Sequence, residues 1–293
     1  MLFCCLALGI VVARFANPPQ TLAHSLNWWV LNIALPAIIL RLIPNLHFEW
    51  RLWFLVASMW FVFLGAWAVM ALVGAWRHWS RPRVAALTLT CGLGNTSFIG
   101  FPMIEALRGE QALRLAVVAD QLGCFLALAV GGSIVAAYYS GANSQPAAIA
   151  RRVLLFPPFL ALLLGCAAGA LGSWPPFIDD SLAHIGATLS PLALFSVGLR
   201  LQLPDRMADL EAIAVGLGWK LVLAPALVLG GGLLLRVQGE ILWVSALEAA
   251  MAPMISAAIL AEQYDLEPRL ANTILGVGIL LSMLTVPLLN SIL

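Results

Sequence analysis

Ten stretches of mostly apolar residues follow one another along this chain, at about 1–16, 22–43, 52–76, 84–107, 112–139, 153–171, 182–203, 210–235, 240–262 and 270–292. A helix rises 1.5 Å per residue and the hydrocarbon core of a bilayer is about 30 Å thick, so about 20 such residues cross it. The runs are continuous rather than alternating, which excludes a closed β-barrel. The α-helix then remains as the structure that satisfies every backbone N–H and C=O in lipid. The chain reads as an all-α polytopic membrane protein with ten transmembrane helices and the lipid bilayer as its solvent.

Composition closes off the soluble alternatives. Of 293 residues, 62% are hydrophobic and 10% are charged, against about 25% charged in a soluble domain. Fifteen Lys+Arg and fourteen Asp+Glu cannot dress the surface that a soluble monomer leaves in water. A cytosolic enzyme, a nucleic-acid binder and a disordered tail are excluded. The spans contain no HExxH pair, no paired aspartates and no Asp-rich diphosphate motif, and Tyr264-Asp265 falls in a loop. A membrane enzyme is therefore not expected. Cys4, Cys5, Cys91, Cys124 and Cys166 lie in apolar stretches without metal-ligand spacing, so they read as small hydrophobes, and neither a metal nor a cofactor is expected. Met1 is followed by no basic segment and no small-residue cleavage site, so the first stretch reads as a short span rather than a signal peptide.

The loops are short and carry turn residues: Asn17-Pro18-Pro19, Ser80-Arg81-Pro82, Trp174-Pro175-Pro176 and Leu203-Pro204-Asp205. The longest polar break, Gly141-Ala142-Asn143-Ser144-Gln145-Pro146, falls at the middle. It divides the chain into a first five-helix repeat at 1–140, a connector at 141–152 and a second repeat at 153–293. An odd number of spans forces the second repeat to insert upside down, and inverted repeats of this kind are typical of secondary transporters. Prolines support the division. Pro36 and Pro191, in spans 2 and 7, are 155 residues apart, and Pro102 and Pro253, in spans 4 and 9, are 151 apart.

Basic residues set orientation. The loops after odd-numbered spans hold nine arginines: Arg14, Arg77, Arg81, Arg83, Arg151, Arg152, Arg200, Arg206 and Arg269. The opposite side holds five: Arg41, Arg51, Arg108, Arg114 and Arg236. This bias places both termini outside. Trp28, Trp29, Trp50, Trp53, Trp76, Trp79, Trp174 and Trp243 fall near span ends, where indole rings anchor at the interface.

Span 4 contains Gly92, Gly94, Asn95, Thr96, Ser97, Gly100 and Pro102 at mid-membrane depth. Glycine and proline weaken a helical ladder. Non-helical backbone at that depth survives only inside protein or beside a water-filled cavity. The freed backbone groups and the side chains of Asn95, Thr96 and Ser97 can then bind a ligand, and Thr96 or Ser97 can cap a second half-helix whose N-terminus favours anions. Span 9 carries the matching Pro253 and one hydroxyl, Ser256. Paired interrupted segments in two halves point to a transporter's binding site. The substrate-binding candidates are thus Asn95, Thr96, Ser97, Gly100, Pro102, Pro253 and Ser256.

Four ionisable residues fall within spans: Glu105, Asp120, Lys220 and Glu248. Lys220 lies about 15 Å deep, and Asp120 and Glu248 about 12 Å. A charge at the bilayer centre costs about 2.5–3.5 kcal/mol on insertion scales, so each should face the protein interior and have a partner. Lys220, Asp120 and Glu248 are candidates for coupling or charge balance. Glu105, near the end of span 4, reads as structural, with Arg108 in reach at i+3. His24 and His184 read as interfacial, and Asn27 and Asn32 as hydrogen-bonding between helices.

These segments resemble the auxin efflux carrier family, part of a bile-acid and auxin carrier-like superfamily. Gly94-Asn95-Thr96-Ser97-Phe98-Ile99-Gly100-Phe101-Pro102 is similar to the family's crossover segment. Leu35-Pro36-Ala37-Ile38-Ile39 and Pro191-Leu192-Ala193-Leu194-Phe195-Ser196-Val197-Gly198-Leu199 resemble its span 2 and span 7 signatures. Glu248-Ala249-Ala250-Met251-Ala252-Pro253 and Leu281-Ser282-Met283-Leu284-Thr285-Val286-Pro287 resemble its last two spans. The resemblance implies ten helices in two inverted repeats, NhaA-like, with broken crossing helices 4 and 9 at the substrate site. It implies a transport domain moving against a scaffold that often dimerises, and small organic anions as substrates: auxin in plant carriers, malate or malonate in bacterial relatives. A proton or sodium ion is the implied coupling partner. The crossover roles carry over to Asn95, Pro102 and Pro253. Two departures stand out. Span 9 reads Ala252-Pro253-Met254 where relatives commonly show Met-Pro, and span 3 lacks the acidic residue of a support site. The short central loop implies a bacterial inner-membrane protein. The competing function is a ten-helix metabolite or drug exporter of another inverted-repeat superfamily, which would not need the break in span 4.

Overall fold

A computed structural model describes residues 2–19, 21–46, 49–141, 146–200 and 209–293. The turn at 203–205, Arg206 and residues 142–145 of the midpoint connector lie outside the described residues. The described chain is helical, as expected. Twelve helices are labelled here: α1 (Leu2–Phe15), α2 (Leu22–Asn45), α3 (Trp53–Arg77), α4 (Arg81–Gly92), α5 (Thr96–Ser140), α6 (Pro146–Leu154), α7 (Pro157–Ala170), α8 (Pro176–Leu199), α9 (Leu210–Leu234), α10 (Glu240–Ala249), α11 (Ile255–Gln263) and α12 (Pro268–Ile292).

Among the described residues, six helical segments are long and apolar enough to cross a membrane: Leu22–Asn45, Trp50–Arg77, Thr96–Ser140, Pro176–Leu199, Leu210–Leu234 and Pro268–Ile292. The other expected spans differ for visible reasons. The first and sixth are short apolar helices, Cys4–Phe15 and Pro157–Ala170. The fourth and ninth are interrupted where glycine, proline and extended backbone stop α4 and α10. The second part of the fourth runs on with the fifth as α5, which bends at Gly109 (φ 80°, ψ −176°). That conformation suits a residue without Cβ.

Local sequence explains the edges. α3 closes on His78 in the left-handed region (φ 54°). Ser80 then caps α4 by accepting from the Arg83 N–H, and Pro82 sits in the first turn, where its missing N–H costs nothing.

The helices group into two compact units, and the chain passes between them, so each unit takes elements from both halves of the sequence. The first comprises residues 1–49, 97–117 and 151–201. Here α1 crosses α8 through two glycines. A Cβ on Gly9 would lie 2.3 Å from the Phe195 carbonyl oxygen, and one on Gly198 would lie 2.3 Å from that of Leu6. Small residues permit this close backbone approach. Asn27, expected to bond between helices, accepts from Ser196 at 2.6 Å. Asn32 instead donates to the Trp28 carbonyl of its own helix at 2.8 Å. Arg41 pairs with Glu110 at 2.9 Å and Asp179 at 3.6 Å.

The second unit comprises residues 50–96, 118–150 and 202–293. One end is tied by Arg83, which pairs with Asp209 at 2.7 Å and Glu267 at 3.0 Å. Ser80 also donates to Glu267, at 2.8 Å. These contacts join the starts of α4 and α12 to the residue before α9. Removing the guanidinium by Arg83→Ala should cost about 1 kcal/mol. The expected result is a lower melting temperature in detergent, with the gap to wild type narrowing at high salt. An unchanged melting temperature at low salt would show that the network does not stabilise this unit.

Candidate functional site

The site is built where two broken helices meet within the second unit. α4 stops at Gly92, and Leu93 turns to extended backbone (φ −110°, ψ 125°). α10 stops at Ala249, and Met254 is extended before α11 begins (φ −78°, ψ 130°). The two extended pieces pair as a short antiparallel bridge between Gly94 and Pro253. The Asn95 N–H donates to the Ala252 carbonyl at 2.7 Å, and the Met254 N–H to the Leu93 carbonyl at 3.0 Å. The bridge satisfies backbone groups that would otherwise be orphaned in a buried, apolar setting. Pro253 fits because its neighbours, not its own missing N–H, carry the pairing.

Around this bridge lie the polar residues expected from the sequence. Asn95 is 2% exposed and Thr96 is fully buried. Thr96 donates its hydroxyl proton to one oxygen of Asp120. Gln121 donates from Nε2 to the other Asp120 oxygen at 2.6 Å. Cys124 donates its thiol proton to the Gly94 carbonyl at 3.1 Å. Lys220 is 1% exposed and presses on the bridge: a Cβ on Gly94 would sit 2.9 Å from its Nζ and 3.3 Å from the Glu248 carbonyl oxygen. A side chain at Gly94 would push the ammonium away from the bridge. Glu248 is fully buried and within electrostatic reach of Asp120 and Lys220. Among the described residues neither of its carboxyl oxygens has a hydrogen-bond partner.

The structure therefore brings together Asn95, Thr96, Pro253, Asp120, Lys220 and Glu248. Ser256 is half-buried in the first turn of α11. Ser97, Gly100 and Pro102 are buried at the start of α5, among residues that group with the first unit. Glu105 is exposed, unlike the other three ionisable residues of the spans.

Sequence reasoning missed the local helix geometry. Among the described residues five segments wind as π-helix: Val30–Ala34, Thr96–Gly100, Ala119–Cys124, Ala127–Gly132 and Trp219–Leu223. Such turns are rare and frequent at functional sites. Three of the five hold Thr96, Asp120 with Gln121, and Lys220. Gln121 itself was also passed over, since an amide beside Asp120 gives no sequence signal of its own.

A family model described as "membrane transport protein" matches residues 1–290. The chain belongs to the auxin efflux carrier family. Its relatives carry transporter names. An uncharacterized transporter of Methanothermobacter thermautotrophicus is 26% identical, over 92% of this chain and 89% of the relative. A putative malonate transporter of Rhizobium meliloti is 28% identical, over 95% and 89%. A probable auxin efflux carrier component 5a of Oryza sativa subsp. japonica is 25% identical, over 75% and 73%. This chain is accordingly a membrane transporter, and the buried bridge lies inside the region that matches the family.

Proposed function

We propose that the transporter is a secondary carrier for a small organic anion such as a carboxylate of the malonate, malate or auxin type, working by alternating access. The observation that carries this reading is the buried Gly94–Pro253 bridge, with Asn95 and Thr96 on one broken helix and Ser256 on the other. Broken helices present half-helix N-termini, which favour anionic groups. Asn95, Thr96, Ser97, Gly100, Pro102, Pro253 and Ser256 form the substrate site, with Lys220, Asp120 and Glu248 as the coupling or charge-balancing group.

The architecture that goes with this reading is ten spans in two inverted repeats, 1–140 and 153–293, joined by 141–152. The protein sits in a bacterial inner membrane with both termini outside, as a homodimer, coupled to protons or sodium ions. If it exports, the membrane potential contributes about 2.3 kcal/mol per charge per 100 mV. The malonate named for the Rhizobium meliloti relative makes dicarboxylates the first class to try. In a thermal-shift screen of dicarboxylates, monocarboxylates and indole acids, at least one class should raise the melting temperature, because a ligand that binds only the folded state stabilises it. No shift by any of the three, at concentrations up to the millimolar range, would contradict the reading.

A further inference from the structure

We propose that the Asp120–Lys220–Glu248 group holds one exchangeable proton, that this proton sits on Glu248, and that it moves with the anion. The inference rests on the anion-carrier reading and specifies its coupling ion.

Charge requires a proton in this group. Two carboxyls and one ammonium are buried together. With both carboxylates ionised the group has a net charge of −1, beside the place proposed for an anion. An uncompensated buried charge is costly. One proton makes the group neutral.

Hydrogen bonding decides where that proton sits. Asp120 accepts on both oxygens, from Thr96 and Gln121, and donors aimed at both oxygens suit the carboxylate, which is an acceptor only. Glu248 is fully buried, with no partner on either oxygen among the described residues. An ionised carboxylate without a donor is the most expensive way to bury that side chain. Two carboxyls in unlike surroundings thus divide the two protonation states. The other titratable groups that face this cluster are Cys124 from α5 and Cys91 from α4. α3 and α12, which also pack on α10, bring only Arg77 and Arg269, each at a helix end.

The cycle follows from charge. Glu248 takes a proton from water on the loading side, and the neutral group admits the anion. On the far side the proton leaves Glu248 for water, the group becomes negative, and it repels the anion outward. Each cycle moves one anion and one proton in the same direction, and the Lys220 ammonium stays in place as the fixed countercharge to Asp120.

Infrared spectroscopy of the full-length protein in nanodiscs tests the assignment. At neutral pH the wild type should show the carbonyl band of a protonated, weakly hydrogen-bonded carboxyl. Glu248→Gln should lose that band while melting close to wild type. Asp120→Asn, which leaves an ionised Glu248 to balance the Lys220 ammonium, should lose it as well. Gln121→Leu, which removes a donor from Asp120 alone, should keep it at the wild-type frequency. A wild type without the band, or Glu248→Gln with it, would overturn the assignment. In proteoliposomes, labelled malonate and an internal pH dye are recorded together. Wild type should acidify the lumen as malonate enters. Malonate entry without acidification would overturn the coupling and leave the carrier reading intact. If no carboxylate enters at all, the carrier reading fails instead, and the infrared band still decides whether Glu248 holds a proton.

Discussion

Asn95→Ala should cut anion flux at sub-saturating concentration at least tenfold, while the variant folds and inserts like wild type. The residue is 2% exposed, and its backbone N–H anchors the bridge through Ala252. That backbone bond survives the substitution. What is lost is a side-chain amide, and a hydrogen bond to a charged group is worth about 1.5–3 kcal/mol, or about one to two decades in affinity. The measurement is initial uptake of labelled malonate by proteoliposomes, with reconstituted protein quantified alongside. Undiminished uptake would remove Asn95 from the site. Asn95→Asp should be worse than alanine if the ligand is an anion, because like charges then meet in a low-dielectric setting.

Gly278→Ala should disable transport from a residue that carries no polar group. Gly278 lies on α12, against the bridge. A Cβ there would sit 2.3 Å from Cδ and 2.6 Å from Cγ of Pro253, and 3.0 Å from Leu217 Cδ2. A proline ring has no rotamer with which to move aside, so α12 or the bridge must shift. Overpacking of this kind costs about 1–3 kcal/mol. The shift falls on the segment that pairs with Gly94 and positions Asn95, so both melting temperature and flux should drop. A variant that melts and transports like wild type would show that the Pro253 bend is not rigidly held.

The break in span 4 was legible because its cause is local. Glycines at 92, 94 and 100 and Pro102 weaken a buried helix, and Asn95, Thr96 and Ser97 in the same window are hard to place in lipid. The helix breaks at 93–95, and Gly100 and Pro102 fall in the first turns of α5. Pro253 was a weaker signal, since one proline can also kink a helix that continues. Its meaning comes from pairing with Gly94, a contact across more than 150 residues that spacing hints at and only folding establishes. The buried charges were legible as individuals. Their grouping was not: Thr96 reaches Asp120 across 24 residues, and π-helical winding at 119–124 and 219–223 has no composition that marks it. Gly109 illustrates the same limit. A single glycine in a polar stretch says little, yet it bends a 45-residue helical segment. The midpoint connector was read from turn residues and remains a sequence division. The two packing units cut across it because contacts between distant helices, not chain order, define a compact unit.

Counterflow tests the central claim most directly. Proteoliposomes loaded with unlabelled malonate are diluted into labelled malonate, and the labelled anion inside is followed over time. A carrier of this kind predicts a transient accumulation above the external concentration, absent from empty liposomes and strongly reduced for Asn95→Ala. Folded, inserted wild-type protein that gives no accumulation with malonate, malate or an indole acid would contradict it.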